Sequence, residues 1–249
     1  MAAGGQTDSP LFLLDYALRL LRVLVLIALW RTIFGEQVTD APMSLAAVLT
    51  YTLIAEVFAE QLTARTTLVL AFWEGTIVLR FLRPMGLVRQ FAAEMAGRWA
   101  VHFALFSVPL LALAPLLGVD PRPASPLAAV LFLPSLALAI LVGIALELLF
   151  ATSTVVFGQN PWLADYVRTS LATLLSGALL PLAYYPWGLG EIFGWLPFAA
   201  MAWAPLAIYT GSGDPIPRLA SQLVWVAVLW PVVDRIWRAN REKVVGYGG

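Results

Sequence analysis

The 249-residue chain has no cysteine, a single histidine (His102) and a single lysine (Lys243). Without cysteine there is no disulfide, no thiol nucleophile and no thiolate-bound metal. One imidazole excludes a metal site built from several histidines. No glycine-rich run precedes Lys243 in P-loop spacing, so that way of cradling and hydrolysing ATP is closed. Charge is scarce too. Charged residues make up 12% of the chain, fifteen of each sign, and the net charge is zero. A soluble domain carries about twice that share, and the balance offers nothing to a nucleic acid.

What the chain does have is apolar length. Hydrophobic residues make up 61% of it, and the mean hydropathy is +0.84. A soluble globule of this size cannot hide that much apolar surface, so the composition points to an all-α polytopic membrane protein. At about 20 residues per crossing there is room for about six transmembrane helices. The apolar runs are long and continuous instead of alternating, which favours helices over a membrane barrel.

The expected spans are 11–34, 43–62, 99–117, 127–157, 162–182 and 219–236, within one transmembrane domain covering 1–249. Residues 1–10 read as a mobile tail and 237–249 as a polar, basic tail. Asp15, Arg19 and Arg22 share one helix face by their spacing, and the arginines are expected to reach towards lipid headgroups. Residues 63–98 carry Arg65, Glu74, Arg80, Arg83, Arg89, Glu94 and Arg98 and are too charged to span. Residues 183–217 are apolar but broken by eight prolines and glycines, from Pro186 to Gly213. Two short helices that dip in and return fit better than a straight span, because non-helical backbone at depth must be covered by protein or water. With both termini inside, twelve of the fifteen basic residues lie on the inner side, leaving Arg31, Arg122 and Arg218 outside. That bias sets the orientation. The outer segments then hold Glu36, Asp40, Asp120, Glu191 and Asp214.

Residues 73–84, WEGTIVLRFLRP, are the most informative stretch. They fall on the inner side yet carry Trp73, Ile77, Val78, Leu79, Phe81 and Leu82, which a loop meeting only water does not need. Composition leaves two readings open. One is an amphipathic helix lying on headgroups; the other is a docking helix for a soluble partner, with apolar anchors and arginine clamps.

Here the chain resembles a family. Glu74-Gly75 followed by Leu82-Arg83-Pro84 is similar to the EG…LRP signature of type 2 (ABC-2-type) ABC transporter permeases, in particular their bacterial six-span branch. Residues 176–181, SGALLP, followed by Tyr185-Pro186, resemble the family's exit from its fifth span. Leu196-Pro197-Phe198 with Pro205 resembles the return, and Gly248-Gly249 the closing pair. Together they cover nearly the whole chain.

The resemblance implies a permease of the bacterial inner membrane with both termini cytoplasmic. It would pair with a second permease, identical or homologous, and with two copies of an ABC ATPase that holds ATP and Mg. The chain itself would be no enzyme. It would export an amphipathic or hydrophobic cargo by alternating access. The cytoplasmic coupling helix between spans two and three would comprise Trp73, Glu74, Gly75, Arg80, Phe81, Leu82, Arg83 and Pro84. Glu74 with Arg80 or Arg83 would make charge-assisted contacts, Phe81 and Leu82 would fill a groove, and Pro84 would end the helix. The hairpin between spans five and six would be an outer gate built from Pro181, Tyr184, Tyr185, Pro186, Trp187, Trp195, Pro197 and Phe198, joined by Phe193 in an apolar plug. The plain alternative for these aromatics is an interfacial belt.

Glu56 lies inside the second span, where a charge costs about 2.5–3.5 kcal/mol on insertion scales. It is expected to face the seam between permeases or to be protonated, with substrate contact and helix–helix hydrogen bonding as its alternative uses. Glu60 and Glu147 are expected to snorkel to the inner surface, and His102 to be structural. Gly211-Ser212-Gly213-Asp214 fits the GxGD pattern of intramembrane aspartyl proteases. That chemistry needs two neighbouring aspartates within the membrane, and Asp214 sits in an outer turn. A stand-alone secondary transporter would carry more ionisable residues at depth, and a structural subunit would need no basic docking loop.

Overall fold

The computed structural model describes residues 10–35, 41–158, 160–240 and 242–243. The start of the expected tail (1–9), Glu36, Asp40 and the closing Gly248-Gly249 lie outside the described residues, as does the side chain of Asp15. Every regular element among the described residues is helical.

The chain opens with α1 (Pro10–Gly35) and α2 (Leu45–Val57), which breaks at Phe58 and resumes as α3 (Ala59–Thr63). Two short helices follow, α4 (Leu68–Trp73) and α5 (Ile77–Phe81). Then α6 (Leu87–His102) runs through a π-turn, Phe103–Ser107, into α7 (Val108–Leu113) as one rod of 27 residues. Pro109 has no N–H to give the turn before it, and the wider turn sits there. Next come α8 (Pro126–Phe157) and α9 (Pro161–Leu175). The hairpin region holds two 3₁₀ turns and three short helices, α10 (Leu189–Gly194), α11 (Pro197–Met201) and α12 (Trp203–Tyr209). The last element is α13 (Pro215–Ala239).

Three helices among the described residues are long and apolar enough to cross a membrane: Leu87–Leu113, Pro126–Phe157 and Pro215–Ala239. The first begins at Leu87, not near Trp99 as expected. Gln90, Phe91 and Met95 give it a buried face, and Glu94 on its flank is held by Arg80 and Thr67. The fifth expected span stops early, because Gly177 adopts φ 78° and Pro181 follows. At 1.5 Å per residue, α9 is about 22 Å long, short of the ~30 Å of a bilayer core. The last helix runs three residues into the stretch read as a polar tail, to Ala239.

The helix starts have a common chemistry. Ser125, Asn160 and Asp214 cap α8, α9 and α13 with their side-chain oxygens, and each is followed by a proline at the first helical position. The cap satisfies an orphan amide, and proline needs no partner there.

Helix α8 is the central post. Phe132 and Leu136 near its start join a cluster with Val23 and Ile27 of α1, Leu53 of α2 and Leu110 of α7. Its second half, from Val142 to Val155, joins another with Phe72, Phe91 and Met95, Phe198, and Leu229 of α13. The long contacts sort into two ends. At one, Arg31 donates to the Leu117 carbonyl, Thr50 to the Asp120 carbonyl and Tyr209 to the Pro121 carbonyl. At the other, Arg19 meets Glu60 and Arg65 meets Asp165.

Gln222 ties α13 to this post. Its side chain is fully buried. Its Oε1 accepts from Ser135 Oγ at 2.8 Å, and its Nε2 donates to the carbonyls of Ser135 (3.0 Å) and Ala200 (2.8 Å). Gln222→Leu keeps the volume but strands those three partners. We expect a loss of about 1–3 kcal/mol, read as a lower thermal midpoint of the purified protein in detergent. An unchanged midpoint would remove the clamp from the account.

Candidate functional site

Residues 63–67, TARTT, carry the chain from α3 into α4, and their polar groups are gripped from every side. Ala64 ends α3 in the left-handed region at φ 43° and presses on Gly143 of α8, where an added Cβ would sit 2.6 Å from the Ala64 Cβ. One turn further along the same face of α8 is Glu147. Its carboxylate accepts from the Thr66 amide at 2.7 and 2.8 Å and, by a shorter bond, from the Thr66 hydroxyl. Glu147 is therefore fully buried as an anchor and does not snorkel as expected. Arg98 donates to the Arg65 carbonyl, Arg168 Nη1 lies 3.4 Å from the Thr63 carbonyl, and Thr67 donates to Glu94 at 2.8 Å.

The WEGTIVLRFLRP segment hangs from this turn. Trp73 closes α4, exposed and edge-on to Trp162 at 6.4 Å between centroids. Glu74 follows, also exposed, and Gly75 at φ 70° reverses the chain where a side chain would be strained. Arg80 turns inward. It pairs with Glu94 at 2.6 Å, donates to Thr67 Oγ1 at 3.0 Å and stacks 4.5 Å from the Phe91 ring centroid. Its guanidinium is thus a bolt between α5 and α6, which leaves Arg83 as the outward one of the two arginines. Phe81 is half-buried against the second cluster. Leu82 is 78% exposed, and Arg83 and Pro84 beside it are exposed as well. Arg83 reaches only to 4.0 Å from Glu94. Trp73, Glu74, Leu79, Leu82 and Arg83 thus form an open apolar face with a charge of each sign.

On the other side of the turn, two arginines of α1 cross to the α2–α3 carboxylates. Arg22 Nη2 lies 2.5 Å from Glu56 Oε2. Arg19 lies 3.2 Å from Glu60, which also lies 3.8 Å from Arg98, and Arg19 donates to His102 Nε2 at 2.8 Å. Glu56 has a guanidinium partner on α1 of its own chain, the helix–helix hydrogen bonding given above as one of its uses. The α1 arginines meet protein carboxylates instead of headgroups, because their three-residue spacing matches the four-residue spacing of Glu56 and Glu60 across the helix contact. These groups border a cavity of about 560 Å³ lined also by Arg65, Arg168 and Thr169.

The gate residues do not converge. Tyr184 donates to the Met43 carbonyl at 3.2 Å and lies 5.0 Å from the Trp30 ring. Tyr185 donates to the Leu174 carbonyl at 2.6 Å and meets Phe193 at 5.5 Å. Partial burial pushes both phenol pKa values up, so each stays a donor. Pro181 is buried beside Leu182, Pro197 opens α11, and Phe198 is buried in the second cluster. Pro186 and Trp187 are exposed, Trp187 at 91%, and so is Trp195, whose carbonyl accepts from Trp225. A single apolar plug is not assembled within one chain. Asp214, of the GxGD pattern, accepts from the Ile216 amide as a helix cap, and Asp165 lies at the opposite end with Arg65 and Arg168.

A family model described as ABC-2 family transporter protein matches residues 15–248. The chain belongs to that family. It is accordingly the membrane component of an ABC transport system; the family implies partnering with an ABC ATPase, and its members generally lack an ATPase site of their own. No curated protein and no solved structure matches the chain.

The sequence did not single out the TARTT turn as a site, nor the Glu147 anchor. The available signal was Gly143 and Glu147 at i, i+4 inside an otherwise apolar helix. For the Arg22–Glu56 pair, Arg22→Met strands a buried carboxylate. It is expected to lower stability in detergent by about 2 kcal/mol, less than a fully buried pair because the guanidinium is half exposed. Arg22→Met with Glu56→Leu should recover most of it. Equal losses in the single and double variants would show that the pair is not what holds α1.

Proposed function

We propose that this chain is the six-span permease half of an ABC exporter of the bacterial inner membrane. It works with a second permease and two ATPase subunits that bind ATP and Mg. The reading places α1, α2–α3, Leu87–Leu113, α8, α9 continued by the non-helical chain to Leu182, and α13 across the bilayer with both termini cytoplasmic, supported by the arginine bias and by the sorting of contacts into two ends.

The observation that carries the proposal is the α4–α5 turn. It presents Trp73, Leu79, Leu82 and Arg83 outward while Arg80–Glu94 and Glu147–Thr66 bolt it to two membrane helices. An external motor needs such a part: a face to grip and a stiff connection to what must move. Glu74 and Arg83 are its charged contacts, and Leu82 fills the groove. The surface-helix alternative leaves the stiff connection without a purpose. Trp187 and Trp195, exposed on the hairpin, take the gate role at the meeting of two permeases, where the plug is completed by the second copy.

The test uses the tagged full chain. An ATPase is expected to co-purify with it, and Leu82→Asp to weaken that capture about tenfold, the weight of one anchor residue. Glu74→Ala and Arg83→Ala should uncouple ATP hydrolysis from transport without loss of insertion. Unchanged transport in both, or no ATPase in the pull-down, refutes the docking role.

A further inference from the structure

The cavity beside the Arg22–Glu56 pair has a chemistry of its own. Its lining combines polar groups, Arg65, Arg168 and Thr169, with apolar ones, Ala172, Leu179 and Met201. Its volume, about 560 Å³, falls in the range of small-molecule sites.

The sign of the polar lining is set by Arg168. This side chain is only 3% exposed. Its Nη2 lies 3.2 Å from Asp165 and its Nη1 a long 3.4 Å from the Thr63 carbonyl, while its buried Nε has no acceptor among the described residues. A desolvated guanidinium held only by these contacts keeps much of its charge uncompensated, and an oxyanion in the cavity is the partner that offsets it. The carboxylates at the cavity are already engaged, Glu56 by Arg22 and Glu60 by Arg19 and Arg98. Four guanidiniums line the cavity, those of Arg19, Arg22, Arg65 and Arg168, against the carboxylates of Glu56 and Glu60. Asp165, behind Arg65 and Arg168, offsets part of that surplus. Among the described residues a cation therefore finds no free acid here, whereas an anion meets a surplus of guanidinium charge.

We propose that this cavity binds an anionic amphiphile, its oxyanion against Arg168 and Arg65 and its single apolar chain along Ala172, Leu179 and Met201. As the identity of the cargo, the assignment rests on the permease reading; as a binding site, it rests on the cavity alone.

The probe is dodecyl phosphate, added to the full chain purified in dodecyl maltoside, with inorganic phosphate and dodecyltrimethylammonium as separate arms. Dodecyl phosphate is expected to bind saturably and the other two not to bind. Arg168→Gln should weaken binding about tenfold or more, the weight of a charge-assisted contact, with Arg168→Lys recovering part of it. Thr173→Trp is the second variant, because Arg168→Gln also loosens the TARTT turn. Thr173 is exposed on the cavity lining and its hydroxyl serves only its own helix, at the Thr169 carbonyl. The indole should block the apolar chain and abolish binding with the thermal midpoint unchanged. Equal binding of the cationic amphiphile overturns the sign. Inorganic phosphate binding as tightly overturns the apolar half. Dodecyl phosphate binding that neither variant alters overturns the site. No ATPase is present, so failure here leaves the docking reading standing, and failed ATPase capture leaves this result standing.

Discussion

Between α3 and α4 the chain leaves helical geometry for a few residues, and those of its amides, carbonyls and hydroxyls that the helices cover must be satisfied by protein. An unsatisfied backbone group in such surroundings costs several kcal/mol. The surrounding helices supply the partners. Glu147 of α8 takes the Thr66 donors, Arg98 of α6 and Arg168 of α9 reach the carbonyls, and Glu94 takes Thr67. Each of these groups would be expensive in a membrane on its own. Together they neutralise one another and fix where four helices meet. Because Gly143 lets the turn approach α8 closely, the Glu147 carboxylate reaches it with short bonds.

That hub also explains where the charges of the chain went. Residues 63–98 read as too charged to cross, and their charges were assigned to solvent or to a partner. Most are spent internally. Arg65 pairs with Asp165, Arg80 with Glu94, and Arg98 with Glu60 and the Arg65 carbonyl. Glu74 and Arg83 are left on the exposed face. A sequence shows which residues carry charge, but an ion pair between positions 65 and 165 depends on how helices pack. Arg80 and Arg83 look alike in LRFLRP; the structure separates them because α5 ends at Phe81, leaving Arg80 in the helix over Phe91 and Arg83 beyond its end at the rim.

The parts that were legible are those governed by local rules. The all-helical class follows from the long apolar runs. The start of α8 follows from Ser125-Pro126, and the α9 and α13 starts carry the same cap-and-proline signal in Asn160-Pro161 and Asp214-Pro215. The prolines and glycines after Leu182 read as two short helices that dip in and return; the structure has two 3₁₀ turns and three short helices there. The fate of the hairpin aromatics was not legible. Tyr184 and Phe198 are equally apolar in sequence, yet one leans on Trp30 and the other packs in the second cluster. Which side a residue faces in a chain of 3₁₀ turns has no fixed period to read.

The exposed turn and the amphipathic cavity share one set of supports. Arg168 lines the cavity and also reaches the Thr63 carbonyl, and Arg65 donates to Asp165 from the cavity wall while its carbonyl holds Arg98 of α6. Glu94 of α6 in turn holds Thr67 and also Arg80 of α5. A displacement of α5 therefore reaches the cavity wall through Arg80–Glu94 and Arg98–Arg65. On the proposed function this is the advantage of building the junction from guanidiniums and carboxylates. Apolar contacts slide at little cost, whereas a satisfied buried ion pair resists any motion that would leave a charge bare. The pairs then have to exchange together or not at all, which is how a packed interface can have discrete arrangements in place of a continuum.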